Sequence, residues 1–484
     1  MAITKGTSLN AVPAPAKQTL QSNYIDFTAE ATAGWAQQYL PDLMEEESEV
    51  FGNRSVSGFL EMVGAEEAMT SDQVVWSEQG RLHLSYTGTT DASTDGLILL
   101  AKDADGNDID ALGEDNHGVR VGDTVLVTSA AATVRCYVTA VDNTQESSNS
   151  AVSITVAPYS AATLNAVTGI AESTAVSVFV YGSEFKKGSN GRVGANTPGF
   201  KTFTNNPIIM KDKYEVSGSD ASQIGWVEVS GEEGQNGYLW YLKAAGDTRA
   251  RFTDYCEMAL IEAEKAATSS GALGQGLVGT EGLFAALEDR GNLQYGDLTL
   301  PEFDAILKEF DSQGAIEEYM MFLDRTEALA IDDMLAGLDG NNTGAGSAYG
   351  VFDNDADMAL NLGFNGFRRG SYDFYKTDWK YLNDKSTRGS LIDATATVAT
   401  GKISGVMVPA GTSTVYDQSL GRNLRRPFLH VRFRASQMDD RRFKTWTTGS
   451  VGAATSDLDA MEMHFLTERC LVVQGANNFM LLKG

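Results

Sequence analysis

Hydrophobic and polar positions change period several times along the chain. Arg81-Leu-His-Leu-Ser-Tyr alternates strictly and places Leu82, Leu84 and Tyr86 on one face, the pattern of a half-buried strand. Gln73-Val-Val-Trp-Ser reads as another short strand. Four β-branched runs follow between 95 and 157: Gly96-Leu-Ile-Leu-Leu-Ala, Thr124-Val-Leu-Val-Thr, Thr133-Val-Arg-Cys-Tyr-Val-Thr-Ala-Val and Ala151-Val-Ser-Ile-Thr-Val. Gly, Asp, Asn and Ser turns separate them, and the regular spacing predicts a compact antiparallel barrel or sandwich. Ser177-Val-Phe-Val-Tyr then resumes a strand like those before the module. We therefore expect a small all-β domain at 90–165, inserted in a loop whose arms are 56–89 and 166–200.

The period lengthens in the middle of the chain. Residues 243–267 carry Phe252, Cys256, Ala259 and Ala263 at 4-3-4 spacing, with Arg249, Arg251, Glu262 and Glu264 largely off that stripe. A single amphipathic helix of about 40 Å is expected there. A shorter helix should open on a Thr280 cap and stop at Gly291. Another should begin with Pro301 in its first turn and run to Phe310, and a fourth is expected over 315–337, rich in Leu, Met and Ala. Residues 339–348 read as a connector. An aromatic-rich stretch follows around Phe364, Phe367, Tyr372, Phe374, Tyr375, Trp379 and Tyr381. The chain closes on strand-like runs at His464, Cys470 and Phe479. The class is α+β.

Composition narrows the functions open to such a chain. Its 484 residues suit about three structural units. Lys+Arg 37 against Asp+Glu 65 leaves a net charge of −28, which opposes gripping nucleic acid or an anionic membrane. The first residues lack the apolar core of a signal peptide, and no run approaches a membrane span. The expectation is a chain made in a cytoplasm and soluble there. Cys136, Cys256 and Cys470 are widely spaced and read as small buried hydrophobes rather than zinc ligands or a disulfide framework.

Candidate chemistry is sparse. His83, His117, His430 and His464 form no zinc-hydrolase spacing, and no nucleophile elbow, phosphate loop or kinase signature is present. Asp103, Asp105, Asn107 and Glu114 occupy positions 1, 3, 5 and 12 of a calcium loop, but Asp108 stands where glycine should make the sharp turn. A β-turn rich in Asp and Gly is the better account, and these remain weak metal candidates. No cofactor is expected. The first 55 residues hold Tyr24, Phe27, Trp35, Tyr39 and Leu40 with little to bury them against, beside the acidic Glu45, Glu46 and Glu47. The one basic concentration comprises Arg422, Arg425, Arg426, Arg432, Arg434, Arg441 and Arg442 with Lys444, interleaved with Phe428, Phe433 and Phe443. Arginine forks suit carboxylates, so pairing with the acidic patch of an adjacent subunit is favoured over phosphate. Trp35, Tyr39, Glu45–Glu47 and these seven arginines are the candidate inter-subunit contacts.

The layout, together with Phe203-Thr-Asn-Asn-Pro-Ile-Ile-Met-Lys-Asp-Lys-Tyr and Phe374-Tyr-Lys-Thr-Asp-Trp-Lys-Tyr-Leu-Asn-Asp, resembles the major capsid proteins of tailed bacteriophages, most nearly those of crAss-like phages. That resemblance implies the Hong Kong 97-type fold. Residues 1–55 would be the N-terminal arm, 56–89 and 166–200 the extended E-loop interrupted by the 90–165 domain, and 201–339 the peripheral domain with its spine helix at 243–267. Residues 340–450 would form the axial domain, and 451–484 the closing peripheral strands. It further implies self-assembly into hexamers and pentamers around double-stranded DNA, beside portal, auxiliary or decoration proteins, head fibres and scaffold. Competing classes are a β-rich adhesin or fibre protein, against which the helical centre argues, and a carbohydrate-active enzyme, which needs a carboxylate pair in a cleft.

Overall fold

The computed structural model describes residues 55–483 apart from short stretches, of which 110–116, 143–151, 195–200, 223–228, 340–364 and 392–401 are the longest. The chain is mixed α+β and divides into two units, Ser77–Thr202 and the residues on either side of it.

The smaller unit is a closed six-stranded barrel. Its strands are Ser85–Thr90, Leu97–Asp103, Ser153–Pro158, Thr133–Asp142, Asp123–Thr128 and Ala175–Ser183, each antiparallel to the next, the last returning to the first. Alternate residues point inward, so Ile98, Leu100, Val125, Val127, Cys136, Val138, Ile154 and Val178 form a core almost sealed from water. The four expected runs are all present, but the edges of the expected domain move outward. Ser85–Thr90 and Ala175–Ser183, assigned from sequence to the loop arms, belong to the barrel. Four strands alone would leave two open edges; the flanking pair closes them. Closure needs a bulge between Thr87 and Gly88, where a Cβ on Gly88 would lie 2.0 Å from the Leu99 carbonyl oxygen.

The larger unit holds a five-stranded and a six-stranded sheet besides two-stranded pairs. In the first, the fourteen-residue strand Ala460–Val473 pairs with Leu429–Arg434, Lys444–Gly449 and Ile208–Ser217, while Ala65–Met69 runs parallel to Leu429–Arg434. The separate runs expected at His464 and Cys470 are thus one strand. Against it packs the long helix Trp240–Glu262, whose Phe252 and Cys256 meet Phe465, Phe443, Met210 and Met463. The buried stripe continues through Leu260 and Ile261 rather than Ala259 and Ala263. The helix ends before the expected residue 267 because the chain doubles back: Gly282 N–H donates to the Ala263 carbonyl at 2.8 Å, and Lys265 bridges to Gly279. A Cβ on Gly282 would sit 2.7 Å from that carbonyl, so only glycine permits the approach.

The second sheet runs in the order Asn292–Tyr295, Met480–Lys483, Ile403–Pro409, Glu318–Leu323, Tyr372–Asp378, Asn365–Arg369. Ile403–Pro409 is buried throughout because both faces of the sheet are covered. On one side lie helices Leu300–Gln313 and Arg325–Asp339, contributing Phe303, Ile306, Phe310, Ala328 and Ile331 against Tyr319, Met321, Leu323 and Phe374. On the other, Phe322, Val406, Val408 and Leu481 meet Leu260, Ile261 and the helix Leu283–Arg290. Two sequence expectations change here. Residues 315–337 are a strand, Glu318–Leu323, followed by a helix, Arg325–Asp339, since a short apolar run buried on both faces suits a central strand. Gly282, not Thr280, is the N-cap of Leu283–Arg290; Thr280 is buried with its hydroxyl 3.2 Å from Asn205 Oδ1. Pro301 does lie in the first turn of its helix, behind a Thr299–Glu302 capping box, and Gly314 ends that helix in the left-handed region at φ 65°.

Candidate assembly surface

The basic stretch folds as two strands and the segment after them. Leu429 and Val431 are sunk in the core, and Arg432 is directed at Glu67, its ladder neighbour on the parallel strand Ala65–Met69, at 2.8 Å. Arg434 reaches Glu468 at 2.7 Å, Asp72, and the Thr70 carbonyl at 3.2 Å. Arg441 approaches the second oxygen of the same Glu468 at 2.7 Å. Arg442 and Arg469 share Glu66, and the Arg442 guanidinium lies 5.7 Å over the Phe433 ring. Glu468 is only 5 % exposed and lies between Arg434 and Arg441. Asp72, with its side chain 94 % exposed, adds little.

Four of the seven candidate contact arginines therefore already hold carboxylates of their own chain, and two of them, Arg432 and Arg442, tie the strand Ala65–Met69 to the sheet. The physical reason is proximity: register on one sheet delivers Glu66, Glu67 and Glu468 beside them. Arg422, Arg425 and Arg426 lie on Arg422–Pro427, which pairs only with Thr412–Asp417 among the described residues. The side chains of these three fall outside the described residues, as do Trp35, Tyr39, Glu45, Glu46 and Glu47.

Asp103 and Asp105 close a turn. Asp105 N–H donates to Asp103 Oδ1 at 3.0 Å, Gly106 N–H to the Asp103 carbonyl at 3.2 Å, and the Asp105 carboxylate pairs with Arg81 at 2.6 Å. Asn107 and Glu114 lie outside the described residues. Among the described residues, no group of three or more His, Cys, Asp or Glu is placed to hold a metal ion. A cleft of about 410 Å³ is lined by Glu262, Glu264, Phe284, Glu288, Asp289 and Arg388 among others. Two of its carboxylates are engaged. Glu262 accepts from Arg388 at 2.5 Å and from the Tyr381 hydroxyl at 2.6 Å, and Glu288 pairs with Lys483 at 2.7 Å.

No helix among the described residues is long and apolar enough to cross a membrane. No protein-family model matches the sequence, and no curated protein matches it. Among solved structures, the chain is similar to one from Microbacterium phage Oxtober96 at TM-score 0.35 and 9 % identity, covering 94 % of this chain and 99 % of the other. The capsid of a native GTA particle computed with C5 symmetry matches at 0.37 and 11 %, covering 95 % and 99 %. The capsid of the cyanophage P-SCSP1u matches at 0.38 and 8 %, covering 93 % of each chain.

Proposed function

We propose that this chain is the major capsid protein of a tailed bacteriophage, with the Hong Kong 97-type fold and most like those of crAss-like phages. Its work is self-assembly into hexamers and pentamers that close an icosahedral head around double-stranded DNA. The observation that carries this reading is the order of parts. Fifty-odd polar and aromatic residues precede the first described ones, a closed barrel lies along the chain between the two parts of the larger unit, a long helix packs on a sheet, and one fourteen-residue strand pairs with three others of that sheet. The resemblance of the two stretches that begin at Phe203 and Phe374 supports it as well.

Assembly, in this account, is a summation of modest contacts. The arm and loop lie across neighbouring subunits and bury Tyr24, Phe27, Trp35 and Tyr39 there. Arg422, Arg425 and Arg426 receive carboxylates from the next chain, Glu45–Glu47 among them. Portal, auxiliary and decoration proteins, head fibres and scaffold are the further partners, with no membrane and no enzymatic step. The product resides in the virion and is built in the host cytoplasm. The charge of −28 suits a wall that encloses DNA without gripping it. Negative-stain microscopy of the expressed protein should find shells or capsomers. Deleting residues 1–41 should leave a folded protomer that makes neither, and normal shells from the truncation would sink the arm mechanism.

A further inference from the structure

The long helix turns a second, polar face toward the first described residues of the chain. Asp254 Oδ1 accepts from the Ser55 hydroxyl at 2.7 Å and from the N–H groups of Val56 and Ser57 at 3.2 and 3.0 Å. One turn on, Glu257 Oε2 accepts from Gly58 N–H at 2.7 Å, and Oε1 from Phe59 and Leu60 N–H at 2.8 and 3.3 Å. Lys380 Nζ donates to the Ser55 carbonyl at 3.1 Å. Successive N–H groups from Val56 to Leu60 thus end on two carboxylates of one helix. The Phe59 ring drops between Trp379, stacked at 4.5 Å, and Phe322, edge-on at 4.6 Å. Gly58 makes the turn between them at φ 122°, a conformation side chains rarely adopt.

Glu257 is 9 % exposed and lies beside the helix's apolar stripe, where an unpaired carboxylate would be costly. Its partners are main-chain donors of the Phe59–Val63 helix that would otherwise be orphans, so helix and segment each satisfy the other. Recognition depends on the backbone and one ring. It fixes both the place and the direction in which the chain enters, since the donors meet the two carboxylates in strict order.

We propose that Asp254, Glu257 and Lys380 form a clasp that sets the point and direction at which the first 54 residues join the body, and that shell assembly requires it while subunit folding does not. The proposal rests on the capsid reading, with these three as positioning residues. The test is amide hydrogen exchange on the full-length unassembled subunit, in wild type, Asp254→Ala and Glu257→Gln. Loss of charge-assisted bonds should speed exchange at Val56–Leu60 at least about tenfold. Exchange along Ala460–Val473 should be unchanged, and shells should fail to form. Unchanged protection at 56–60, or loss of protection spreading into Ala460–Val473, overturns the clasp. Should Glu257→Gln unfold, Asp254→Ala decides by the same readouts. Normal shells from a variant whose clasp has opened overturn the assembly role and leave the capsid reading standing. Absence of shells in wild type removes both assembly claims, while exchange still reports on the fastening itself.

Discussion

Burial pushes the thiols of Cys136, Cys256 and Cys470 up to about 12, so none offers a thiolate near neutral pH. A chromogenic disulfide reagent at pH 8 should therefore label the native protein hardly at all and all 3 cysteines after denaturation. Rapid labelling of the folded chain would contradict that burial. Glu257 behaves differently. Burial raises its carboxyl above the ordinary value, the Gly58, Leu60 and Phe59 N–H groups pull it down, and Asp254 pushes it up again. A raised folded value means its stabilising contribution is complete below the unfolded glutamate value and disappears as pH climbs through the folded one. Over that mildly acidic window the difference in stability between wild type and Glu257→Gln should grow in the wild type's favour as pH falls. Urea unfolding at several pH values measures this, and a flat difference would deny the raised value. Glu257 is the residue a sequence reading passes over. Its signal was available: a carboxylate at the edge of a stripe shared with Cys256, Leu260 and Ile261.

At the scale of elements, the barrel's alternation was legible where inner positions are Val, Ile or Leu, as in Leu97–Asp103, Asp123–Thr128 and Ser153–Pro158; Ser85–Thr90, which buries Tyr86, Gly88 and Thr90 instead, carries a weaker pattern. The strand Glu318–Leu323 was not legible, since continuous apolar runs carry no period and Leu, Met and Ala favour helices. Asp324 and Glu327 held the missing clue: Asp324 Oδ1 accepts from Glu327 N–H at 2.6 Å, an acidic start to the helix that follows. The bulge at Gly88 is the barrel's most sensitive backbone position. Gly88→Ala would drive a methyl group into the Leu99 carbonyl, so strain of about 1–3 kcal/mol should lower the barrel's unfolding midpoint. Calorimetry of the full chain would register the shift, and an unchanged transition would mean that the strands can slide apart without cost.

For the whole molecule, the interrupted connectivity predicts separable stability. A fragment spanning Ser77–Thr202 contains every strand of the closed barrel and its core, and should unfold cooperatively by itself. A non-cooperative melt of that fragment would show that the barrel leans on the rest of the chain. The sequence by itself determined the α+β class, the β-branched strand runs between 95 and 157, the long helix and the acidity, because period and composition are local or additive properties. Only the tertiary structure decided that six strands rather than four close the barrel, and that Arg432, Arg434, Arg441 and Arg442 turn to Glu66, Glu67, Asp72 and Glu468. It alone brings Asp254 and Glu257 to residues 55–60. Strand closure and ion pairing join positions tens to hundreds of residues apart, and no pattern read along the chain specifies which distant partner the fold will deliver.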